Sequence, residues 1–342
     1  MSFKRLDPED ISISAESVVT PLWSTNSVTL TTFFTSSQQV ASTGDYFYRV
    51  YNADIDNSDP TAIAQFGATF GHKYGSGSVA YTTGVTGKTP SATIYGQYRN
   101  LVFGDEDTNF TFQNQTSDYI YVISVDRSRY REKLLPGSFN LILSGSGTKK
   151  LYLTDNSETL NTISYVDSGR VYDIISGSNG LPWDWNTGTT ATKGYNTTGG
   201  SYGKYLPDVG IIILNGEALD ASADGLLLAT GEQSGIDDRN IEKFYDAIRK
   251  GASFTSQAEE TVSSNYVFVR VRNSEFNYST NPSNLTGSGE LRHDVMINTP
   301  QAYLTTVGLY NDNNDLLGVA KLSKPLLKDF TKEALVRIKL DY

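Results

Sequence analysis

Near its C-terminus the chain reads Thr305-Thr306-Val307-Gly308-Leu309-Tyr310, then Asn311-Asp312-Asn313-Asn314-Asp315, then Leu316-Leu317-Gly318-Val319-Ala320-Lys321-Leu322-Ser323-Lys324-Pro325. Asn and Asp bond their own backbone through short side chains and tolerate positive φ. Two apolar runs joined by such residues therefore predict a hairpin, with Val307 and Leu309 on one face. Upstream, Val267, Val269 and Val271 alternate with the period of a strand. The chain is thus expected to end inside a sheet.

Strand patterns also occur at 27–36, 46–52, 110–112, 119–125, 138–144, 150–153, 163–166, 170–175 and 209–214. The last of these is apolar on both faces at Ile211, Ile212 and Ile213, which predicts a strand covered on both sides. One helix is expected near 238–250, where Ile241, Phe244, Tyr245 and Ile248 recur at helical spacing. Asp237 and Asp238 precede it, Arg249 and Lys250 close it, and Gly251 stands at the stop. Residues 53–93, punctuated by Gly67, Gly71, Gly75, Gly77, Gly84 and Gly87, read as a long loop and a candidate docking element. The expected fold is mainly β: an antiparallel β-sandwich-like body over 25–342 with long loops, a candidate division into two subdomains near 176–205, and an extended N-terminal arm over 1–24.

That arm carries Leu22 and Trp23 beside polar surface sequence. A short arm cannot bury such groups on itself, so they need a groove on the body or on a neighbouring subunit, and both are candidate partner contacts. A second candidate is the basic run Arg127, Arg129, Arg131 and Lys133, alternating with Ser128, Tyr130 and Glu132. On a strand it would present several cations on one face, toward an acidic partner or, equally, toward solvent as a charged edge. Trp183 and Trp185 lie with Asp184, Tyr195, Tyr202 and Tyr205 in a Gly/Thr/Asn-rich tract. Aromatics flanked by acids can stack on sugar rings, so this tract is the third candidate contact.

Chemistry is harder to place. The two histidines, His72 and His293, stand away from any nucleophile motif and are expected to be ordinary hydrogen-bonded or surface residues. The stretch 82–89, Thr-Thr-Gly-Val-Thr-Gly-Lys-Thr, approaches a phosphate-binding loop. It has Thr82 where glycine is required and Pro90 where a helix should begin, so a flexible surface loop is expected. The acids Asp54, Asp56 and Asp59, Asp105-Glu106-Asp107, and Asp312 and Asp315 do not match a calcium-binding loop and are read as Asx turns. No catalytic residue, cofactor or metal site is accordingly expected.

Cysteine is absent, which removes disulfides, thiolate metal sites and cysteine nucleophiles. With 28 Lys and Arg against 38 Asp and Glu, the formal net charge of -10 is spread along the chain. Nucleic-acid binding needs concentrated positive charge, so no nucleic-acid partner is expected. The N-terminus has no apolar signal-like region, no stretch reaches the roughly 18 apolar residues of a spanning helix, and no membrane partner is expected.

Residues 305–325, 272–282 (Arg-Asn-Ser-Glu-Phe-Asn-Tyr-Ser-Thr-Asn-Pro) and 3–11 (Phe-Lys-Arg-Leu-Asp-Pro-Glu-Asp-Ile) resemble virion structural proteins of large contractile-tailed bacteriophages, and the resemblance runs the length of the chain. It implies a non-enzymatic tail or baseplate subunit, assembled in the host cytoplasm and resident in the virion, with other virion proteins and copies of itself as partners. A capsid decoration or neck protein is the alternative of the same class. From a different class, the aromatic tract suggests a carbohydrate-binding receptor-recognition module with a host glycan as partner.

Overall fold

A computed structural model describes residues 11–23, 25–36, 46–54, 59–78, 89–145, 149–184, 194–196, 200–221, 225, 226 and 239–341. In chain order the first elements are β1 (Ile11–Pro21), β2 (Thr29–Leu30), β3 (Phe34–Ser36), β4 (Phe47–Tyr51), β5 (Ala64–His72), α1 (Pro90–Phe103), β6 (Thr111–Phe112), β7 (Gln115–Thr116), β8 (Tyr119–Val125), β9 (Lys133–Leu134), β10 (Asn140–Ser144), β11 (Lys150–Asp155) and β12 (Ser164–Val166). There follow β13 (Gly169–Ser178), β14 (Leu181–Pro182), β15 (Gly203–Leu206), β16 (Ile211–Asn215), α2 (Gly216–Asp220), α3 (Asn240–Gly251), β17 (Ser253–Thr255), β18 (Gln257–Val271), α4 (Val295–Asn298), β19 (Ala302–Tyr310), β20 (Leu316–Lys328) and β21 (Ala334–Asp341). The protein is mainly β, with large antiparallel sheets and short helices.

Two compact units divide the chain, one formed by residues 18–260 and one by 1–17 with 261–342. The division expected near 176–205 is not where they part. The strands flanking that tract, β13 and β15, are hydrogen-bonded neighbours in one sheet, with Tyr172 opposite Tyr205 and Ile174 opposite Gly203.

The larger unit is built on a sheet of order β2-β17-β10-β11-β13-β15-β16-β8-β5-β4-β3. Its ten interstrand steps, at about 4.8 Å each, would span about 48 Å if flat. Leu30 at one end and Phe34 at the other are four residue steps apart, which reach at most about 14 Å. The sheet is therefore curled until its two edges approach each other. The run 27–36, expected as one strand, is broken into β2 and β3 because it crosses between those edges. Inside the curl lies α3, packed against β10 on one side and against β4 and β5 on the other.

Alternation explains how both faces are filled. On β8 and β16, Tyr121, Ile123, Ile212 and Leu214 join the core around Phe244 and Ile248 of α3, whereas Ile120, Val122, Ile211 and Ile213 join a second core beneath Tyr95, Tyr98 and Val102 of α1. The expectation that Ile211 to Ile213 would be covered on both faces is met. The helix expected near 238–250 is α3. Its left-handed cap is Ala252, at φ 57°, not Gly251. A Cβ on Gly251 would fall 1.8 Å from the Ile142 carbonyl oxygen, so this glycine serves close approach to β10.

Two elements contradict the reading of 53–93 as loop. The strand β5 lies inside the sheet, between β8 and β4, with Phe66, Ala68 and Phe70 in the inner core. Its glycines serve contact: a Cβ on Gly71 would lie 2.8 Å from the Tyr95 backbone nitrogen, so its absence lets α1 settle on the strand. That helix begins with Pro90, whose fixed φ and missing N–H suit the first helical position. The helix runs to Phe103, and Pro90 opens it at the position where the sequence predicts none. Residues 79–88 lie outside the described residues.

Leu22 and Trp23 are each 2% exposed in the core of their own unit. Trp23 meets Phe254 edge-on at 5.0 Å between ring centroids, and its indole N–H donates to the Val28 carbonyl at 3.2 Å. Neither side chain is therefore free to meet a partner: the groove they need is on the body. The N-terminal segment is extended over 11–21 as expected, and pairs as β1 alongside β18.

Candidate functional site

The smaller unit contains the sheet β1-β18-β21 and the hairpin β19–β20. The hairpin forms as its sequence predicts: Val307 lies opposite Ala320 and Leu309 opposite Gly318. Asn311 closes the turn, its side-chain oxygen accepting from the N–H groups of Asn313 at 3.0 Å and Asp315 at 2.8 Å. The inward face, with Val307, Leu309, Ala320 and Leu322, packs on Val267, Val336 and Ile338. Val269 is partly buried against this core, and Val271 and Ala334 are buried further along the same strands.

Other apolar side chains of the unit lie outside. Gly308 stands opposite Val319, and the Tyr310 ring lies 2.9 Å from where a Gly308 Cβ would be. Leu317 is the extra residue at the register shift beside it, where Leu309 faces Gly318 but Tyr310 faces Leu316. Leu317 is 71% exposed, Val319 60% and Tyr310 41%; on β21 Leu335 is 66% exposed, and on α4 Val295 reaches 72%. Scattered exposed apolar residues are ordinary; Leu317, Val319 and Tyr310 stand near one another on the hairpin, whereas Leu335 alternates away from Val336 and Ile338, onto the face of β21 opposite the one the hairpin covers.

The basic run does not form the expected strand. Residues 127–129 make a single 3-10 turn, capped by the Asp126 carboxylate, which accepts from the Ser128 N–H. Arg127 lies 4.6 Å from the centroid of the Tyr130 ring and donates to the Glu132 carbonyl at 2.9 Å. Arg129 donates to the Ser128 hydroxyl at 3.1 Å. Arg131 pairs with Glu260 at 3.1 Å, and Lys133 lies 3.8 Å from Glu259. The acid that faces these cations is thus found within the same unit.

The aromatic tract is likewise dispersed. Tyr202 and Tyr205 are buried in the inner core, so neither is available to a sugar ring. Trp183 is half-buried, its backbone N–H donating to the Ser176 carbonyl at 2.9 Å, and Trp185 lies outside the described residues. Tyr195 is half-buried near Asp173, and burial first, then the Asp173 charge, raise its pKa. His72 is 5% exposed, stacks on Tyr119, and accepts the Tyr74 N–H at Nδ1. Burial lowers its pKa, which the charge of Asp118 only partly offsets, so at neutral pH it is an uncharged packing residue. Asp59 and Asp105 close the Asx turns expected of them, accepting from Thr61 and Asp107 respectively.

A polar cleft of about 320 Å³ opens between the β6–β7 hairpin and the β12–β13 region. Its wall includes Gln113 and Asp173, whose side chains are hydrogen-bonded. Sequence reading passed over this cleft because its residues are single polar side chains drawn from five separate stretches. The nearest signal is Asn114 after Gln113 in a two-residue strand connection.

No protein-family model, curated protein or solved structure matches the chain significantly.

Proposed function

We propose that this protein is a non-enzymatic structural subunit of a contractile-tailed phage virion, a tail or baseplate component that acts through subunit contacts. The observation that carries the reading is the exposed apolar outer side of the hairpin in the smaller unit, where Leu317, Val319 and Tyr310 stand in water. The resemblance of 272–282 and 305–325 to virion proteins falls on the same unit. Other virion subunits and further copies of the chain are the partners proposed for this surface. The basic turn at 127–131 is set aside as a docking element, because its cations are already partnered within the chain.

The test is incorporation. Leu317→Lys with Val319→Lys leaves the inward hairpin face intact, so the purified variant should retain its β-type circular dichroism and melting temperature. Particles assembled with the variant as sole copy should lack this chain or fail to mature. Normal particles carrying the double variant in full amount would overturn the proposal. Locating the chain in a map of the intact particle decides between tail or baseplate and the capsid or neck alternative.

A further inference from the structure

Asp173, in the wall of the polar cleft, is held by its neighbours. Its carboxylate accepts from the Gln113 side-chain amide and from the Tyr195 hydroxyl, and its backbone N–H donates to the Asn156 side-chain oxygen at 3.0 Å. Asn156 is itself 4% exposed, so this anchor is rigid. Lys204 stands directly opposite Asp173 in the β13–β15 register and lines the same cleft. The two are further apart than an ion pair, and the side chains of Lys204, Thr111, Asn114 and Ser164 make no hydrogen bond or ion pair among the described residues. A cleft is thus lined by an organised acceptor and several uncommitted donors and hydroxyls, with Leu160 as an apolar strip.

Gln113 adds a second line of evidence. It is the first residue of the two-residue connection between Phe112 and Gln115, at φ 58°, where glycine is the residue suited to the backbone. A glutamine side chain stands there against backbone preference, and it is the one that reaches Asp173. Strain of this kind persists where the side chain has a task.

We infer that this cleft binds a neutral saccharide of one or two hexose units. A sugar hydroxyl donates and accepts together, which matches acceptor and donor side chains set side by side. One carboxylate and one ammonium in register cancel in net charge, so the site offers no net pull on an ion. The volume stands at the low end of the roughly 300–1,000 Å³ usual for small-molecule sites. This site is separate from the contact surface proposed above, and its test does not depend on assembly.

The experiment is saturation-transfer NMR on the full chain with glucose, galactose, mannose and N-acetylglucosamine, as methyl glycosides and as disaccharides. At least one should bind saturably. Asp173→Asn and Lys204→Met should each weaken it by about tenfold or more, the size of one lost charge-assisted hydrogen bond. Gln113→Gly should also weaken binding while leaving the melting temperature unchanged or higher, because glycine suits the turn. A panel with no saturable ligand overturns the inference, as does affinity unchanged in both charge variants. Displacement of the bound sugar by free alanine at equal concentration would make this a zwitterion site and overturn it too.

Discussion

Trp23 shows how little of a residue's role its sequence neighbourhood reveals. Pro21 and the polar residues after it mark surface chain, yet the indole reaches Phe254, more than two hundred positions away. Trp23→Ala should cost about 3–5 kcal/mol, the usual range for emptying a large aromatic site in a core. Urea unfolding checks this, and a loss below about 1 kcal/mol would mean that the side chain is not in the core. Charge at the residue scale is best tested at Asp208. Burial pushes its carboxyl up, but three hydrogen bonds from Arg170, the charge of Arg170 and that of Lys133 outweigh it and hold the pKa below the ordinary value. A depressed folded-state pKa stabilises above the unfolded value, about 3.9, and that contribution is lost as pH falls through the folded-state pKa. The melting temperatures of the parent and Asp208→Asn should therefore differ at pH 6 and converge as pH drops below about 4. A constant gap would refute the assignment. Comparison with the variant is needed because Asp155, raised by burial against hydrogen bonds from Ser157 and Gly137, titrates in the opposite sense.

At the scale of elements, legibility followed how much of an element's environment its own residues carry. The β19–β20 hairpin and α3 were readable because turn chemistry and amphipathic spacing are local. By contrast β5 was not: its glycines look like loop residues until α1 is known to lie on them, and α1 in turn has weak amphipathy and opens on a proline. The polar cleft was illegible for the same reason, being assembled only when β6–β7, β12, β13 and β15 come together. The hairpin allows a graded test. Val307→Asp places a carboxylate on the half-buried inward face, against Val267 and Val336, and should cost about 2 kcal/mol. Asn314→Gly should be neutral or stabilising, since Asn314 sits at φ 66°. Asn311→Ala should cost about 1 kcal/mol, because two backbone N–H groups lose their acceptor, whereas Asn313→Ser should cost little. Thermal melts rank the four. If Val307→Asp is the mildest, the inward and outward faces have been exchanged.

For the whole molecule the two units differ in how fully they enclose their apolar groups. The curled sheet of the larger unit surrounds α3 on one face and is covered by α1 on the other, and its inner core alone draws on Leu22, Phe66, Leu141, Phe244 and Phe254. The smaller unit leaves Leu316, Leu317 and Val319 of its hairpin largely in water. If assembly runs through that surface, its driving force is apolar burial, and its response to salt is fixed accordingly. An ion-paired contact weakens as sodium chloride shortens the screening length, to about 8 Å at 0.15 M and 3 Å at 1 M. A contact of apolar groups is insensitive to that screening and is strengthened by sulfate, which is excluded from protein surfaces. Incorporation of this chain into particles should therefore hold between low and high sodium chloride and rise in ammonium sulfate. Each apolar side chain fully buried contributes about 1.5–3 kcal/mol, so Leu317→Lys with Val319→Lys should weaken the contact by more than about 100-fold. Triple reversal of Arg127, Arg129 and Arg131 to Glu should leave it nearly unchanged, because those cations are spent on Tyr130, Glu132, Ser128 and Glu260 of their own chain. A co-assembly titration over a salt series measures all three. Steep loss with sodium chloride, together with loss in the arginine triple variant, would transfer the contact from the apolar hairpin face to the basic turn.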